Sequence, residues 1–406
     1  MGKQSIACLA LLAVHSVLPA AAFAIDVRQQ VAVRACKGLA DRVVDHGPLL
    51  LRSYDNANGS GEPEEPALRT AAFSYDNALA VIALLVCDQR EKALHLGAAL
   101  RLATAQDVRL RNAYRAGAAG GKVLPNGWWD AKLDHWVEDA YQAGTATGNV
   151  AWTALAMLAL HDATGDARWL DAAAKLGMWV VANAADARGA GGFNGGIEGF
   201  DAAPQRLLWK ATEHNLDLAA VFVWLERVQP GHGWATHAAE ARRFVDAQWD
   251  AHNGHFLVGT LPDGVTRNDQ TSGLDVQLWP LLLDGSDRAW LRAIDYAERE
   301  HGVAGGFDFN ADRDGLWLEG TAQAALVYRR LGRNRLADTM LATLAGQFAA
   351  GGFVYATREP RITTGLALTG ASESADFYYY RRPHLAATAW AALAARGRNP
   401  FAAAGR

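Results

Sequence analysis

Six times along this chain a short polar cluster opens a strongly apolar, alanine-rich run of helical period, and no other feature limits so tightly what it can fold into. The clusters are Ser74-Tyr75-Asp76-Asn77, Thr147-Gly148-Asn149, Thr212-Glu213-His214-Asn215, Ser272-Gly273-Leu274-Asp275, Leu318-Glu319-Gly320 and Pro383-His384. Asp76, Asn149, Glu213, Asp275, Glu319 and His384 follow one another at 73, 64, 62, 44 and 65 residues, each interval long enough for two helices and their loops. Between them run more charged, amphipathic segments such as residues 166–175 and 238–245, the pattern of helices with one wet face. A helical pair of this size cannot bury its apolar side alone, and six in succession most simply close into a ring. Alternating β-branched runs are nearly absent. The expected fold is therefore all-α: an (α/α)6 barrel, or six-hairpin toroid, in one domain over residues 25–406. The glycine-rich stretches at 189–196, 305–307 and 351–353 should supply short rim loops or strands. Residues 53–66 read as a flexible surface loop before the first inner helix.

The chain is half apolar and one-fifth charged, with a formal net charge of -4, as in an ordinary folded protein. Lys and Arg are scattered, which argues against a nucleic-acid partner. Lys3, the apolar stretch Ile6–Leu18 and then Ala22-Phe23-Ala24 fit a secretory signal peptide over residues 1–24, giving a periplasmic or secreted protein. His15-Ser16 and Pro19 break that stretch well short of the ~20 apolar residues a membrane span needs. No stable membrane insertion is expected, and the protein is expected to be a monomer. Cys36 and Cys87 remain after removal of the leader, and a disulfide or two buried thiols fit them equally.

Inner helices that all start at one end of the ring bring Asp76, Asn149, Glu213, His214, Asp275, Glu319 and His384 to a common cavity. A lone acid in a first turn usually caps its own helix. Four at corresponding ring positions point instead to paired-carboxyl chemistry, as glycoside hydrolysis requires: one protonated carboxyl and one ionised carboxylate. Glu213 is the expected general acid, with Trp209 and the apolar helix raising its pKa and His214 and Asn215 orienting it. Asp76 and Asp275 compete for the base, and Glu319 could replace any of the three. Trp128, Trp129, Trp209, Trp317, Tyr378 and Tyr380 offer rings for sugar faces, while Asn149, His214, Asp217, Gln277 and His384 offer partners for hydroxyls. Trp128-Trp129, after Pro125-Asn126-Gly127, is the leading platform. Asp308, Asn310, Asp312 and Asp314 resemble the start of a calcium loop, but Arg313 stands where that loop needs glycine. No metal or cofactor is expected: HExxH, CxxC, Walker and Gly-x-Ser-x-Gly motifs are all missing.

The segments 75–80, 209–217, 273–275, 317–321 and 380–401, the last ending in Asn399-Pro400-Phe401, resemble uncharacterised bacterial members of the six-hairpin glycosidase superfamily. The resemblance covers nearly the whole mature chain. It implies the toroid of glucoamylases and family 8 endoglucanases, an acid and a base carboxyl, and often inversion at the anomeric carbon. The same toroid hosts lyases and epimerases, for which His214, His384, Tyr378–Tyr380 and Arg381-Arg382 would move protons and neutralise a carboxylate. A third possibility is a glycan-binding toroid whose carboxylates only cap helices.

Overall fold

The computed structural model describes residues 26–44, 46–56, 61–367 and 376–403; the expected leader at 1–24 lies outside them. Six inner helices, α2 (Ser74–Val86), α5 (Thr147–Thr164), α7 (Thr212–Val228), α9 (Asp275–Leu278), α11 (Leu318–Arg330) and α13 (Leu385–Arg396), pack in that cyclic order, and α13 returns to α2. Outside them lie α1 (Val27–Arg42), α3 (Arg90–Gln106), α6 (Ala167–Ala184), α8 (Trp234–Gln248), α10 (Arg292–Glu300) and α12 (Asn334–Ala345), while α4 (Ala140–Ala143) is a single turn at the rim. The last inner helix is covered by the first outer one, α1 on α13, so the two ends of the chain close the ring. This is the (α/α)6 toroid. Its inner helices are nearly dry, as Val150–Leu158 of α5 shows, whereas the outer ones keep an exposed face. The fourth inner helix is a single turn that continues as a 3-10 turn, Trp279–Leu282. Pro280 has no N–H to donate to an α-helical ladder.

The beginnings of the inner helices are built alike. Their first N–H groups donate to backbone carbonyls of a neighbouring rim segment: Ser74 to Asn112, Thr147 to Gly195, Thr212 to Val258, Leu318 to Ala356 and Leu385 to Ser53. One turn further on, a polar side chain grips the rim backbone. Asn77 bonds both N–H and C=O of Leu51, Asn215 those of Phe193, and Gln277 those of Phe256. Thr321 and Thr388 accept from Phe307 and Val354. Rim strands therefore do the work a capping side chain does elsewhere.

The barrel axis is filled by aromatic rings. Trp152, Trp279 and Trp390, about a turn below the helix starts, lie 5.5–6.0 Å apart, and Phe401 enters from the C-terminal tail to 5.1 Å from Trp152. Asn399 holds that tail by donating to the carbonyl of Leu282. At ~25 cal/mol per Å² and ~150–250 Å² per ring, each such ring contributes several kcal/mol. Cys36 of α1 and Cys87, which ends α2, form a disulfide with their Cα atoms 5.5 Å apart. Ser53, Tyr54 and Asp55 are buried rather than part of a loose surface loop, and Tyr54 pairs with His384 across a β-bridge.

Candidate active site

Three of the four carboxyls at the inner-helix starts do not cap. Asp76, Glu213 and Glu319 accept nothing from their own helix N-termini, where the capping positions are held by Phe73, Ala211 and Trp317 without side-chain bonds. The outer helices α1 and α6 are capped in the ordinary way by Asp26 and Asp166. Among the described residues no Lys or Arg pairs with Asp76, Glu213, Asp217, Asp275 or Glu319; the ion-pair contacts of this ring are to His214 and His384.

On one side, Glu213 and Asp275 hydrogen-bond to each other, carboxyl to carboxylate. Burial and the Asp275 charge push Glu213 well above the usual carboxylate range. Burial raises Asp275 too, but the bond from Glu213 and the N–H of Val276, 2.8 Å away, favour its ionised form. The shared proton therefore rests on Glu213. Its side chain is 30% exposed, by far the most open carboxyl of the ring. His214 Nε2 lies 3.5 Å from it, and the His214 ring sits 5.6 Å from Trp209. Burial pushes His214 down to about 4, so it is neutral at pH 7. Gly148 makes room for this ring, since a Cβ there would stand 2.5 Å from His214 Cδ2. One turn below Glu213, the buried Asp217 takes a hydrogen bond from Trp152 and is raised by burial and by Asp275.

On the other side, His384 lies between Asp76 and Glu319, with Nε2 3.6 Å from Asp76 Oδ2 and Nδ1 3.8 Å from Glu319 Oε2. Nδ1 accepts from the N–H of Ala387, which assigns the proton to Nε2. Burial holds this imidazole neutral, down to about 3. Burial lifts Asp76 to about 7, partly offset by a bond from the Ser53 hydroxyl. Burial also lifts Glu319 to about 8, although Tyr75 donates to it at 2.6 Å and is itself held by Trp390 Nε1. Asp76 Oδ2, Glu319 Oε2 and Asp217 Oδ1 are buried with no hydrogen-bond donor.

Several expected ligands fall elsewhere. Gln277 spends its whole amide on Phe256 and Gly273 and is completely buried, so it is a rim clamp equivalent to Asn77 and Asn215 rather than a sugar contact. Trp317 is 2% exposed, packed between Phe309 and Tyr379. Tyr378 and Tyr380 lie on the outer face of the strand Asp376–Tyr380, Tyr378 under Arg361 and Tyr380 bonded to Glu65. The period-two alternation turns Tyr379 inward instead, 5.9 Å from His384. Tyr141 of α4 was missed by the sequence reading; the charges of Glu213 and Asp76 add to the burial that raises its hydroxyl. Phe377 spans from Tyr379 to Tyr141 at 5.6 and 6.3 Å, completing an aromatic wall. Alternation is the signal that singles out Tyr379 within the run Tyr378–Tyr380.

Asn149 donates to Asn112 and stays half-buried. Trp128 and Trp129 lie on a rim hairpin, Trp129 paired with Trp136 and both of that pair exposed. Arg381 bonds the carbonyls of Thr357 and Arg358 and stacks on Tyr355, so it is not positioned to neutralise a substrate in the ring. Asp308, Asp312 and Asp314 bring carboxylate oxygens within 4.8 Å of one another, but separately from the ring, and Asp308 is engaged by the N–H groups of Phe309 and Gly315. Asp312 and Asp314 are tied to Thr363.

The toroid can be compared with known proteins by sequence and by fold. No known protein family and no curated protein matches the sequence. Among solved structures, a D-mannose isomerase superposes with a TM-score of 0.64 at 10% identity, over 92% of this chain and 97% of the other. Cellobiose 2-epimerase from Spirochaeta thermophila DSM 6192 gives 0.62 at 13%, over 92% and 96%. A wild-type glycosidase gives 0.60 at 13%, over 91% and 97%. The shared feature is the fold, as the six-hairpin resemblance implied. Among the described residues, no helix is long and apolar enough to cross a membrane.

Proposed function

We propose that this protein is an exported glycoside hydrolase in which Glu213 is the general acid. The observation that carries this reading is the Glu213–Asp275 pair: two carboxyls in hydrogen-bond contact, one of them the ring carboxyl that opens appreciably to solvent, with burial and the Asp275 charge raising the pKa of Glu213. Glu213 would protonate the glycosidic oxygen as the bond to the anomeric carbon breaks. Asp275 is in hydrogen-bond contact with Glu213, which leaves no room for a water between them, so it is a partner of the acid and not the base. The base then falls to Asp76 or Glu319 beside His384, and a base across the cavity from the acid favours inversion. A glycosidase variant of similar fold has been solved in complex with glucose, which makes a glucose-like unit the first probe. The apolar N-terminal segment and the Cys36–Cys87 disulfide support export to an oxidising compartment.

The test is sugar release from oligosaccharides by wild type and Glu213→Gln, with the first-formed anomer read by proton NMR. Loss of release by about 10²–10⁴-fold in a folded variant supports the assignment; unchanged release overturns it. A second reading rests on the two neutral imidazoles, His214 and His384, borne on opposite members of the inner ring, α7 and α13. They could relay a proton at a sugar carbon, as an epimerase requires, and solvent deuterium appearing in recovered sugar without cleavage would establish that reading instead.

A further inference from the structure

Hydrolysis needs two carboxyls, and this ring has five. Asp76, Glu213, Asp217, Asp275 and Glu319 come from four of the six inner helices, and among the described residues none meets a Lys or Arg. The imidazoles beside them are neutral. Of the donors that face this ring, the Tyr75 hydroxyl is engaged on Glu319, the Ser53 hydroxyl on Asp76 and the Trp152 indole N–H on Asp217, while the His384 Nε2–H stands 3.6 Å from Asp76 Oδ2, beyond hydrogen-bond reach. Three buried oxygens, Asp76 Oδ2, Glu319 Oε2 and Asp217 Oδ1, still lack a donor, on side chains at least nine-tenths buried. Leaving such an acceptor unpaired costs about 1–3 kcal/mol. Independently of these oxygens, the ring is walled by aromatic faces, Tyr54 and Tyr379 against His384 and Trp209 against His214. Surplus acceptors, aromatic faces and no fixed cation together form the complement of an ammonium group, which brings donors only and is drawn to ring faces.

Building on the hydrolase reading above, we infer that the sugar this site accepts carries a free, protonated amine, as in a glucosamine oligomer, seated beside His384 between Asp76 and Glu319. A neutral sugar brings as many acceptors as donors and leaves part of this surplus unmet. A uronate or sulfated sugar would bring like charge into it. N-acetylation removes both the charge and two of the donors.

Intact protein is titrated calorimetrically, as wild type and as Glu213→Gln to stop turnover, with the hexamers of glucosamine, N-acetylglucosamine and β-1,4-glucose. The glucosamine hexamer should bind at least about tenfold more tightly than either neutral hexamer, the size of one charge-assisted bond. Asp76→Asn should lower that ratio several-fold with the fold retained by circular dichroism; if that variant does not fold, the wild-type ratios stand alone. Equal affinity across the three hexamers, or no binding of the glucosamine hexamer, overturns the inference. Selective binding of the amine without product formation sustains it and removes the hydrolase reading, whereas equal cleavage of all three does the reverse.

Discussion

Replacing Asp76 by Asn should stabilise the protein at alkaline pH and not at acid pH. Burial raises the folded-state pKa of Asp76 from 3.8 to about 7. Between those values the folded chain holds a proton that the unfolded chain has released, so stability present at low pH is lost as pH rises through about 7. A shift of about three units at 1.36 kcal/mol each puts the ceiling of that loss near 4 kcal/mol. Water reaching the cavity reduces it, so a gain of about 1–4 kcal/mol is expected at pH 8.5 and almost none at pH 4. With an unfolding entropy of ~2.1 cal/mol/K per residue, a chain this long shifts by about 1 °C per kcal/mol. Thermal and urea unfolding of both proteins at the two pH values is the assay. Glu319, raised in the same sense, and His384, lowered in the opposite one, are present in both and largely cancel in the comparison. A difference that is the same at pH 4 and pH 8.5, or a variant that becomes relatively weaker as pH rises, would refute the claim that Asp76 is buried without adequate compensation.

Asp275→Asn removes the charge that helps keep the proton on Glu213, so the alkaline limb of the kcat/KM profile should move about 1–3 pH units toward acid; an unmoved limb dissociates Glu213 from that limb. Gly148→Ala should lower activity and cost about 1–3 kcal/mol by driving a Cβ into the His214 ring, even though alanine is the better helix former; a more stable and fully active variant would show that the ring has space. Gln277→Ala should lower stability by about 1–3 kcal/mol and leave KM unchanged, because the amide serves the rim backbone. A raised KM with normal stability would return Gln277 to the substrate.

The toroid was legible because each inner helix advertises its start twice, by a polar cluster and by an apolar run too long and too uniform for anything but a buried helix. Even the short fourth interval had a cause on the page, Pro280, which ends that inner helix after a turn. Pairings within the site were not legible. Spacing placed Asp76, Glu213, Asp275 and Glu319 at one end but could not show that Asp275 would hydrogen-bond Glu213 while His384 settled between Asp76 and Glu319. Nor could residue type separate Gln277, which clamps a strand, from a polar residue that faces the cavity. Three equivalent clamp positions, Asn77, Asn215 and Gln277, share a place in the repeat, and that shared place is the signal that composition alone concealed.

The rim strands explain how the ring can hold so many carboxyls. An inner helix start would ordinarily recruit an Asp or Glu to cap its free N–H groups, and the acid would then be ionised and turned back on its own helix. Here the carbonyls of Asn112, Val258 and Ala356 take the first of those N–H groups on α2, α7 and α11, so Asp76, Glu213 and Glu319 are released to face the axis. Once there, the acid is buried above a plug of aromatic rings, and its pKa rises. The capping explanation, correct for Asp26 and Asp166 on the outer helices, fails on the inner ones for this physical reason. What separates the two sides of the ring is then a matter of neighbours: a carboxylate beside Glu213 favours a proton there, and a neutral imidazole between Asp76 and Glu319 leaves each of them a buried oxygen without a donor.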